Sequence, residues 1–142
     1  RAFDLASEAA ERAAALAPQD ADAWERVGRL ALRTGNPSRA AEALEQAREL
    51  APTVEGLLDL ALANQLLGEL GGELTACEQA TVLEPEFSPA WSRLAHALAR
   101  SDRVSDAIAA AERALALDPG DIELTELLDQ LLEREPRALP AA

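Results

Sequence analysis

Two side chains in this sequence, Cys77 and His96, are of types that act as nucleophiles, general bases or metal ligands. A catalytic dyad needs a base beside its nucleophile, and a zinc site needs three or four His, Cys or carboxylate ligands at short spacings. Each is the only residue of its type in the chain, and neither has such a set of partners around it in the sequence. We therefore expect Cys77 to be a buried packing residue, and we predict no catalytic residue, no metal site and no cofactor.

A glycine-containing stretch and a group of carboxylates are the next candidates for chemistry. The stretch "GELGGEL", residues 68–74, lacks the preceding strand and the Lys-Ser or Lys-Thr pair of a phosphate-binding loop, so it predicts a turn between helices. Glu42, Glu45 and Glu49 lie on one helical face with arginines near by, which is typical of a solvated surface with weak ion pairs. Neither feature indicates catalysis.

The charge of the chain excludes several classes of partner. With 26 acidic and 13 basic residues the formal net charge is −13, which repels nucleic acid and anionic lipid surfaces. No apolar run approaches the roughly 20 residues that span a bilayer, so we expect no membrane insertion. All basic residues are Arg, which removes chemistry that requires Lys. The single Cys cannot form an internal disulfide and leaves cytoplasm and periplasm both open as the compartment.

Hydrophobic residues make up 49% of the chain, but aromatic residues only 3%. A core built mainly of Ala and Leu favours closely packed helices, because strands prefer β-branched and aromatic side chains. The composition therefore predicts an all-α protein.

A sequence repeat organises the chain. Pro18, Pro52, Pro85 and Pro119 recur at nearly equal intervals, and each follows a helical pattern rich in Ala and Leu. The residue five positions before each proline is always alanine: Ala13, Ala47, Ala80 and Ala114. Small residues at fixed positions indicate helices in close backbone contact.

These residues resemble the tetratricopeptide repeat family in its bacterial form. One copy of the family pattern matches Trp24, Val27, Gly28, Gly35, Ala40, Leu44, Ala47 and Pro52. A second matches Trp91, Leu94, Ala95, Ala107, Ala111, Ala114 and Pro119, and a weaker third, with Glu73 where Ala is usual, matches Leu57, Leu60, Ala61, Gly68, Cys77, Ala80 and Pro85. The resemblance implies a right-handed superhelical solenoid of antiparallel helix pairs.

Local signals set the expected helix boundaries. Asn36 and Ser88 each precede a proline, which predicts that they are N-caps, and Gly35 and Gly68 stand where the first helix of a pair should turn. We predict helices near 3–17, 21–34, 37–50, 54–67, 70–83, 88–100, 104–117 and 121–135. The array would span residues 1–136, as about three full repeats with a leading half repeat and a C-terminal capping helix, and 137–142 would be a tail or linker. Because the chain starts with Arg and contains no Met, we expect it to be part of a longer protein.

The resemblance also implies a binding surface, since the first helices of the pairs line a groove in this family. Their second positions are Asp22, Glu55 and Pro89. Their fifth, ninth and thirteenth positions, our predicted peptide-binding residues, are Glu25, Arg29, Arg33, Leu58, Leu62, Leu66, Ser92, His96 and Arg100. Arg29 and Arg33 are four residues apart, as are His96 and Arg100, so each pair shares a helical face that can hold a carboxylate.

The leucine stripe Leu58, Leu62 and Leu66 allows two interpretations. The same helix carries Leu57 and Leu60 on its other face, and a helix that is apolar nearly all round is normally buried on both sides. In that case the arginines are solvated or paired with neighbouring acids. An apolar stripe in a groove is, however, how helical scaffolds bind peptides. The sequence leaves both interpretations open.

We therefore predict a non-catalytic adaptor that binds a protein or peptide partner with an apolar centre and acidic flanks. One alternative is an accessory domain of a larger enzyme, such as a glycosyltransferase, a sulfotransferase or a regulator, with its catalytic part elsewhere. Another is a scaffold that self-associates through its leading helix or the leucine stripe. Some family members hold acidic chaperone tails in a clamp of Lys and Asn, but this chain has no Lys and Asn64 is not at a clamp position, so we do not expect that activity.

Overall fold

The computed structural model describes residues 2–135, which form helices joined by short turns with no strand among them. The eight helices are α1 (Ala2–Leu16), α2 (Ala21–Arg33), α3 (Pro37–Leu50), α4 (Val54–Leu67), α5 (Leu70–Leu83), α6 (Ser88–Arg100), α7 (Val104–Leu117) and α8 (Ile122–Arg134). No boundary differs from the predicted one by more than one residue. The predicted all-α class is confirmed, and the predicted tail, residues 137–142, lies outside the described range.

Contacts divide the chain into two compact units, with the boundary between Pro85 and Glu86. In the first unit each helix from α1 to α5 packs against the next, and α2 also packs against α4. In the second unit α6 packs against α7, α7 against α8, and α6 against α8. Turns of a few residues make consecutive packed helices run antiparallel. The pairs are α2 with α3, α4 with α5, and α6 with α7, while α1 and α8 are the first and last helices of the described range.

Small side chains let the two helices of a pair approach closely. Gly28 of α2 faces Leu44 of α3, and a Cβ added at Gly28 would lie 2.4 Å from Leu44 Cγ. The same two positions in the later pairs hold Ala61 with Cys77 and Ala95 with Ala111, all between 0% and 1% exposed. The prediction that Cys77 is a buried packing residue is confirmed, and the sequence repeat is explained by the volumes that must fit between paired helices.

The predicted N-caps have different outcomes. The Asn36 side chain accepts a hydrogen bond from the Arg39 backbone N–H at 3.1 Å, so Asn36 caps α3 as predicted. The prediction for Ser88 is wrong, because α6 begins at Ser88 itself and Phe87, with extended backbone, stands at the cap position. The Ser88 hydroxyl donates instead to the Ala114 carbonyl oxygen of α7 at 3.3 Å, and a hydroxyl used between helices does not cap its own helix.

Left-handed residues close the turn inside each pair. Gly35 and Gly68, the two predicted turn glycines, both have φ of +75°, where a side chain is disfavoured, and no atom lies within 4 Å of a Cβ added at either. Asp102 has the same role between α6 and α7, with φ of 62°. Its carboxylate accepts a hydrogen bond from Arg134, the last residue of α8.

Polar contacts tie neighbouring repeats together in the first unit. The Trp24 indole N–H donates to the Pro18 carbonyl oxygen at 3.0 Å, which joins the start of α2 to the end of the preceding repeat. Arg39 donates two hydrogen bonds to Glu11 of α1, at 2.7 and 2.6 Å, and one to Glu42 at 3.1 Å, while its guanidinium carbon lies 5.8 Å from the Trp24 ring centroid. The hydrogen bonds from Arg39 lower the pKa of Glu11 below its ordinary value of 4.5, although partial burial opposes the shift.

The last helix, α8, is amphipathic. Leu124 and Leu131 are completely buried, whereas Glu123, Glu126 and Asp129 are exposed. The Asp121 side chain caps the helix by accepting from the Leu124 backbone N–H at 3.0 Å. That α8 caps the repeat array stays a prediction.

Candidate functional site

Cys77 and His96, the two candidates for chemistry in the sequence, lie in different surroundings. Cys77 is 0% exposed. His96 Nδ1 lies 2.8 Å from the Ser92 carbonyl oxygen one turn earlier, and it is the donor of this hydrogen bond because a carbonyl oxygen only accepts. Within residues 2–135, no group of three or more His, Cys, Asp or Glu side chains is arranged to hold a metal ion. No helix in the described part of the chain is both long and apolar enough to cross a membrane.

Arg29 lies at the junction between α2 and α4. Its Nε is 3.7 Å from Asp59 Oδ2 and its Nη2 is 3.9 Å from Glu55 Oε2, while 42% of its side chain stays exposed. Arg33, one turn further along α2, is exposed. The structure thus pairs Arg29 with acids of the next repeat and keeps a substantial part of the guanidinium side chain accessible.

Glu25 serves a structural contact between the same two helices. It is only 8% exposed, and its Oε1 accepts a hydrogen bond from the Thr53 hydroxyl at 2.5 Å. Thr53 caps α4, since its Oγ1 accepts from the Gly56 backbone N–H at 3.0 Å. A Cβ at position 56 would lie 2.6 Å from Glu25 Oε1, so the carboxylate fits in this place because Gly56 has no side chain. This arrangement leaves Glu25 little surface for a ligand.

The leucine stripe of α4 reaches the surface. Leu57 and Leu60, on the opposite face, are 2% and 1% exposed, whereas Leu58 and Leu62 are half-buried and Leu66 is 59% exposed. The stripe therefore becomes more accessible toward the C-terminal end of the helix. That it binds a ligand stays a prediction.

The remaining predicted residues lie on α6 in the second unit. Ser92 and His96 are half-buried and Arg100 is exposed. They are spaced by four residues, so they share one helical face. The hydrogen bond between the His96 ring and the Ser92 carbonyl fixes the ring against the helix.

The structure has a cleft between the second helices of two pairs, and none of the predicted site residues lines it. It has a volume of about 530 Å³ and lies between α3 and α5, with Leu57 of α4 among its lining residues. Val82, also in its lining, is 80% exposed. The sequence signal for this cleft is weak: Val82 stands where the other repeats have Ala15, Glu49 and Ala116, so only its larger apolar side chain is distinctive.

Comparison with family models gives matches over most of the chain. Residues 1–55 and 28–89 match one model described as tetratricopeptide repeat, and residues 88–128 match a second model with the same description. Comparison with curated proteins gives no sequence match.

Solved structures with the same fold are numerous. A crystal structure of MamA is 22% identical, with a TM-score of 0.88 over 93% of this chain and 78% of that one. YrrB, described as a TPR protein with an unusual peptide-binding site, is 16% identical, with a TM-score of 0.84 over 93% and 69% of the two chains. The first TPR of Spaghetti (RPAP3), bound to the HSP90 peptide SRMEEVD, is 21% identical, with a TM-score of 0.73 over 82% and 95%. These matches confirm the predicted class, an all-α helical-repeat solenoid.

Proposed function

Because the chain belongs to the tetratricopeptide repeat family, we propose that it is a non-catalytic protein-interaction scaffold that binds a peptide segment of a partner. The proposed contact surface consists of two arginines of α2 and three leucines of α4, and we call it the α2–α4 surface. Its members are Arg29, Arg33, Leu58, Leu62 and Leu66.

The observation that carries this proposal is the accessible leucine row on a helix whose other face is already filled. Leu57 and Leu60 already provide the buried contacts of α4. Leu66 is 59% exposed, so the core makes little use of its side chain. Rows of exposed apolar side chains beside polar ones are typical of interaction sites. An apolar side chain of a bound peptide would gain burial against Leu62 and Leu66.

The arginines determine the charge of the peptide. The pairs of Arg29 with Asp59 and Glu55, at 3.7 and 3.9 Å, are long and partly exposed, so they contribute little and can be exchanged for a peptide carboxylate. Arg33 adds a second donor one turn away. We therefore propose a peptide with apolar side chains at its centre and acidic residues beside them.

A second contact patch is proposed on α6, from Ser92, His96 and Arg100. His96 is oriented by its bond to the Ser92 carbonyl, and Arg100 follows one turn later on the same face. The Arg100 guanidinium suits a carboxylate, and His96, whose Nδ1 donates to the backbone, presents Nε2 as an acceptor for a donor of the same peptide. This patch is tested by itself with Arg100→Glu.

Two of the similar structures support a peptide-binding role by analogy. One is described as having a peptide-binding site, and the other is bound to SRMEEVD, a peptide with three acidic residues. This chain has no Lys, so we do not propose that it binds the same peptide.

The proposal is tested by selecting binders from a random peptide library and measuring their affinity for single-site variants. Leu66→Glu places a charge on the α2–α4 surface and should weaken binding at least about tenfold. Val82→Glu makes the same kind of change at an aliphatic residue that is 80% exposed but lies in the α3–α5 cleft, and should leave affinity unchanged. Circular dichroism checks that both variants remain helical.

Two results would contradict the proposal. Selected peptides without apolar and acidic residues would exclude the chemistry assigned to the partner. Loss of binding in Val82→Glu, with normal binding in Leu66→Glu, would move the site to the α3–α5 cleft.

A further inference from the structure

The α3–α5 cleft adjoins a position at which one helix pair lacks the tryptophan of the other two. Trp24 and Trp91 occupy this position in the first and third pairs, and Leu57 occupies it in the second. The replacement alone does not predict a cleft, because larger neighbours can take up the lost volume. In the structure they do not, since about 530 Å³ remains open with Leu57 in its lining.

Trp24 shows what surrounds the indole where it is present. Its Nε1–H donates to the Pro18 carbonyl oxygen at 3.0 Å, and its ring packs against a buried cluster that includes Ala14. One repeat later these two positions hold Pro52 and Arg48, and both line the cleft. No residue in the described part of the chain donates a hydrogen bond to the Pro52 carbonyl oxygen. The acceptor that holds the indole of Trp24 thus has an open equivalent here.

A guanidinium also lies beside this place. In the first pair, the guanidinium carbon of Arg39 is 5.8 Å from the centroid of the Trp24 ring. The equivalent of Arg39 in α5 is Gly72, which cannot supply this contact. Arg48 brings a guanidinium to the cleft from α3 instead, and its Nε donates to Glu45 at 2.9 Å. A guanidinium attracts the face of an aromatic ring, so the cleft favours an aromatic occupant over an aliphatic one.

The charge around the cleft indicates the kind of partner. Glu49 and Glu78 are exposed in its lining, while the charge of Arg48 is balanced by Glu45. The whole chain, at −13, has the same sign as these acids, which favours a partner with basic residues. Because Val82 is 80% exposed, the cleft is open on one side. A side chain on a docked segment gains cover there that a free small molecule does not.

We propose that the α3–α5 cleft binds the tryptophan side chain of a partner segment that carries Arg or Lys beside the tryptophan. The indole lies against Leu57 and Val82, and its N–H donates to the Pro52 carbonyl oxygen. Apolar space left by a missing large side chain can accept a group of similar shape, as engineered core cavities accept benzene. The site is separate from the α2–α4 surface, whose proposed peptide is acidic.

The proposal is tested by titrating three compounds into the isotope-labelled chain and following its amide resonances by NMR. The probe is the peptide acetyl-Arg-Ala-Trp-Ala-Arg-amide. It should shift the resonances of Leu57 and Val82 and bind with a Kd of about 1 mM. The same peptide with Leu in place of Trp has equal charge, and N-acetyltryptophanamide has the indole without the charges. Each should bind about tenfold more weakly.

Variants that fill the cleft locate the binding. Leu57→Trp restores the indole of the repeat and should abolish binding of the probe peptide. Gln79→Trp fills the cleft from an exposed position of α5, so it gives the same test without altering the core. Gln46→Trp, at the equivalent exposed position of α3 outside the lining, is the matched control and should leave binding unchanged. Circular dichroism checks that each variant remains helical.

Four results would overturn the proposal. Equal binding of the Trp and Leu peptides would exclude selection for an indole, and equal binding of N-acetyltryptophanamide would indicate a small-molecule site. Binding that survives Gln79→Trp but is lost in Leu66→Glu would place the probe on the α2–α4 surface, so the two proposals fail separately. A concentration-dependent mass of the chain alone that Gln79→Trp abolishes would show that a second copy occupies the cleft.

Discussion

At the scale of single residues, Gly28 leaves less room for a side chain than any other glycine in the described part of the chain. The large side chain of Leu44 fits only because the facing position has none. In the next pair the equivalent positions hold Ala61 and Cys77, both buried, so the two side-chain volumes are divided differently. Each helix is therefore fitted to its own partner, and the two positions should be coupled in their effect on stability.

Gly28→Ala should destabilise the chain by about 1 to 3 kcal/mol through overpacking, because its new methyl group overlaps Leu44. Leu44→Cys alone should also destabilise, through the space it leaves. The double variant recreates the Ala61 and Cys77 combination and should lose less stability than the sum of the single changes, measured by urea unfolding. Additive losses would contradict the proposed contact between the two positions.

A second prediction at this scale concerns the ion pair of Glu11 and Arg39. Arg39 lowers the pKa of Glu11, so the stabilisation is fully present above the ordinary value of 4.5 and is lost as pH falls through the lower pKa of the folded state. Glu11→Gln should reduce the loss of stability below pH 4.5. The effect should stay below about 1 kcal/mol, because the Glu11 side chain is 41% exposed.

The measurement for this prediction is urea unfolding at a series of pH values. Glu49→Gln, at an exposed glutamate of α3, is the control and should change the acid dependence less. If both variants change it equally, the ion pair is not the cause.

At the scale of helices and turns, the sequence predicts almost every boundary, since prolines, turn glycines and the Asn36 cap act locally. It fails where a polar residue bonds to a distant element. Ser88 bonds to α7 instead of capping α6, and Asp102 forms a left-handed turn in which glycine would be expected. Such contacts depend on tertiary packing, which a local pattern does not contain.

The turn positions give a prediction with an internal control. Gly35→Ala and Gly68→Ala should each cost about 1 to 2 kcal/mol, because both glycines have φ of +75°. At Asp102, both Asp102→Ala and Asp102→Gly remove the contact with Arg134. The difference in stability between these two variants therefore reports the backbone strain at this position. Asp102→Gly should be the more stable of the two by about 1 kcal/mol in thermal unfolding. Equal stabilities would show that the turn is not strained.

The candidate site is predicted less completely than the helices. The repeat register places Glu25 among the ligand-binding positions. In the structure Glu25 is buried between helices, where its carboxylate accepts a hydrogen bond from Thr53 and fits against Gly56. The register also gives no sign of the α3–α5 cleft. This cleft lies between helices, and its shape follows from packed volumes that only the assembled structure supplies.

At the scale of the whole molecule, charge governs association. The net charge of −13 makes copies repel one another at neutral pH, which opposes the self-association that the sequence leaves open. Near the isoelectric point of about 4.4 this repulsion disappears, while the exposed leucines remain. The molecule should therefore be most prone to association in mildly acidic solution.

Light scattering over a pH series should show a maximum of particle size near pH 4.4 that falls again on either side. Added salt at pH 7 should increase association, because it screens the repulsion. Scattering that is independent of pH, or already maximal at pH 7, would mean that specific contacts and not net charge determine association.

The bond between Trp24 and the Pro18 carbonyl makes the first unit optically observable. The chain has two Trp and no Tyr, and Trp91 belongs to the second unit, so each unit contains one indole fluorophore. Emission at long ultraviolet wavelengths comes from these two indoles alone. In Trp91→Phe the remaining indole shifts its emission when the first unit opens and water replaces Pro18 as its partner. With Trp91→Phe for the first unit and Trp24→Phe for the second, the protein needs no label to give a separate signal for the unfolding of each unit.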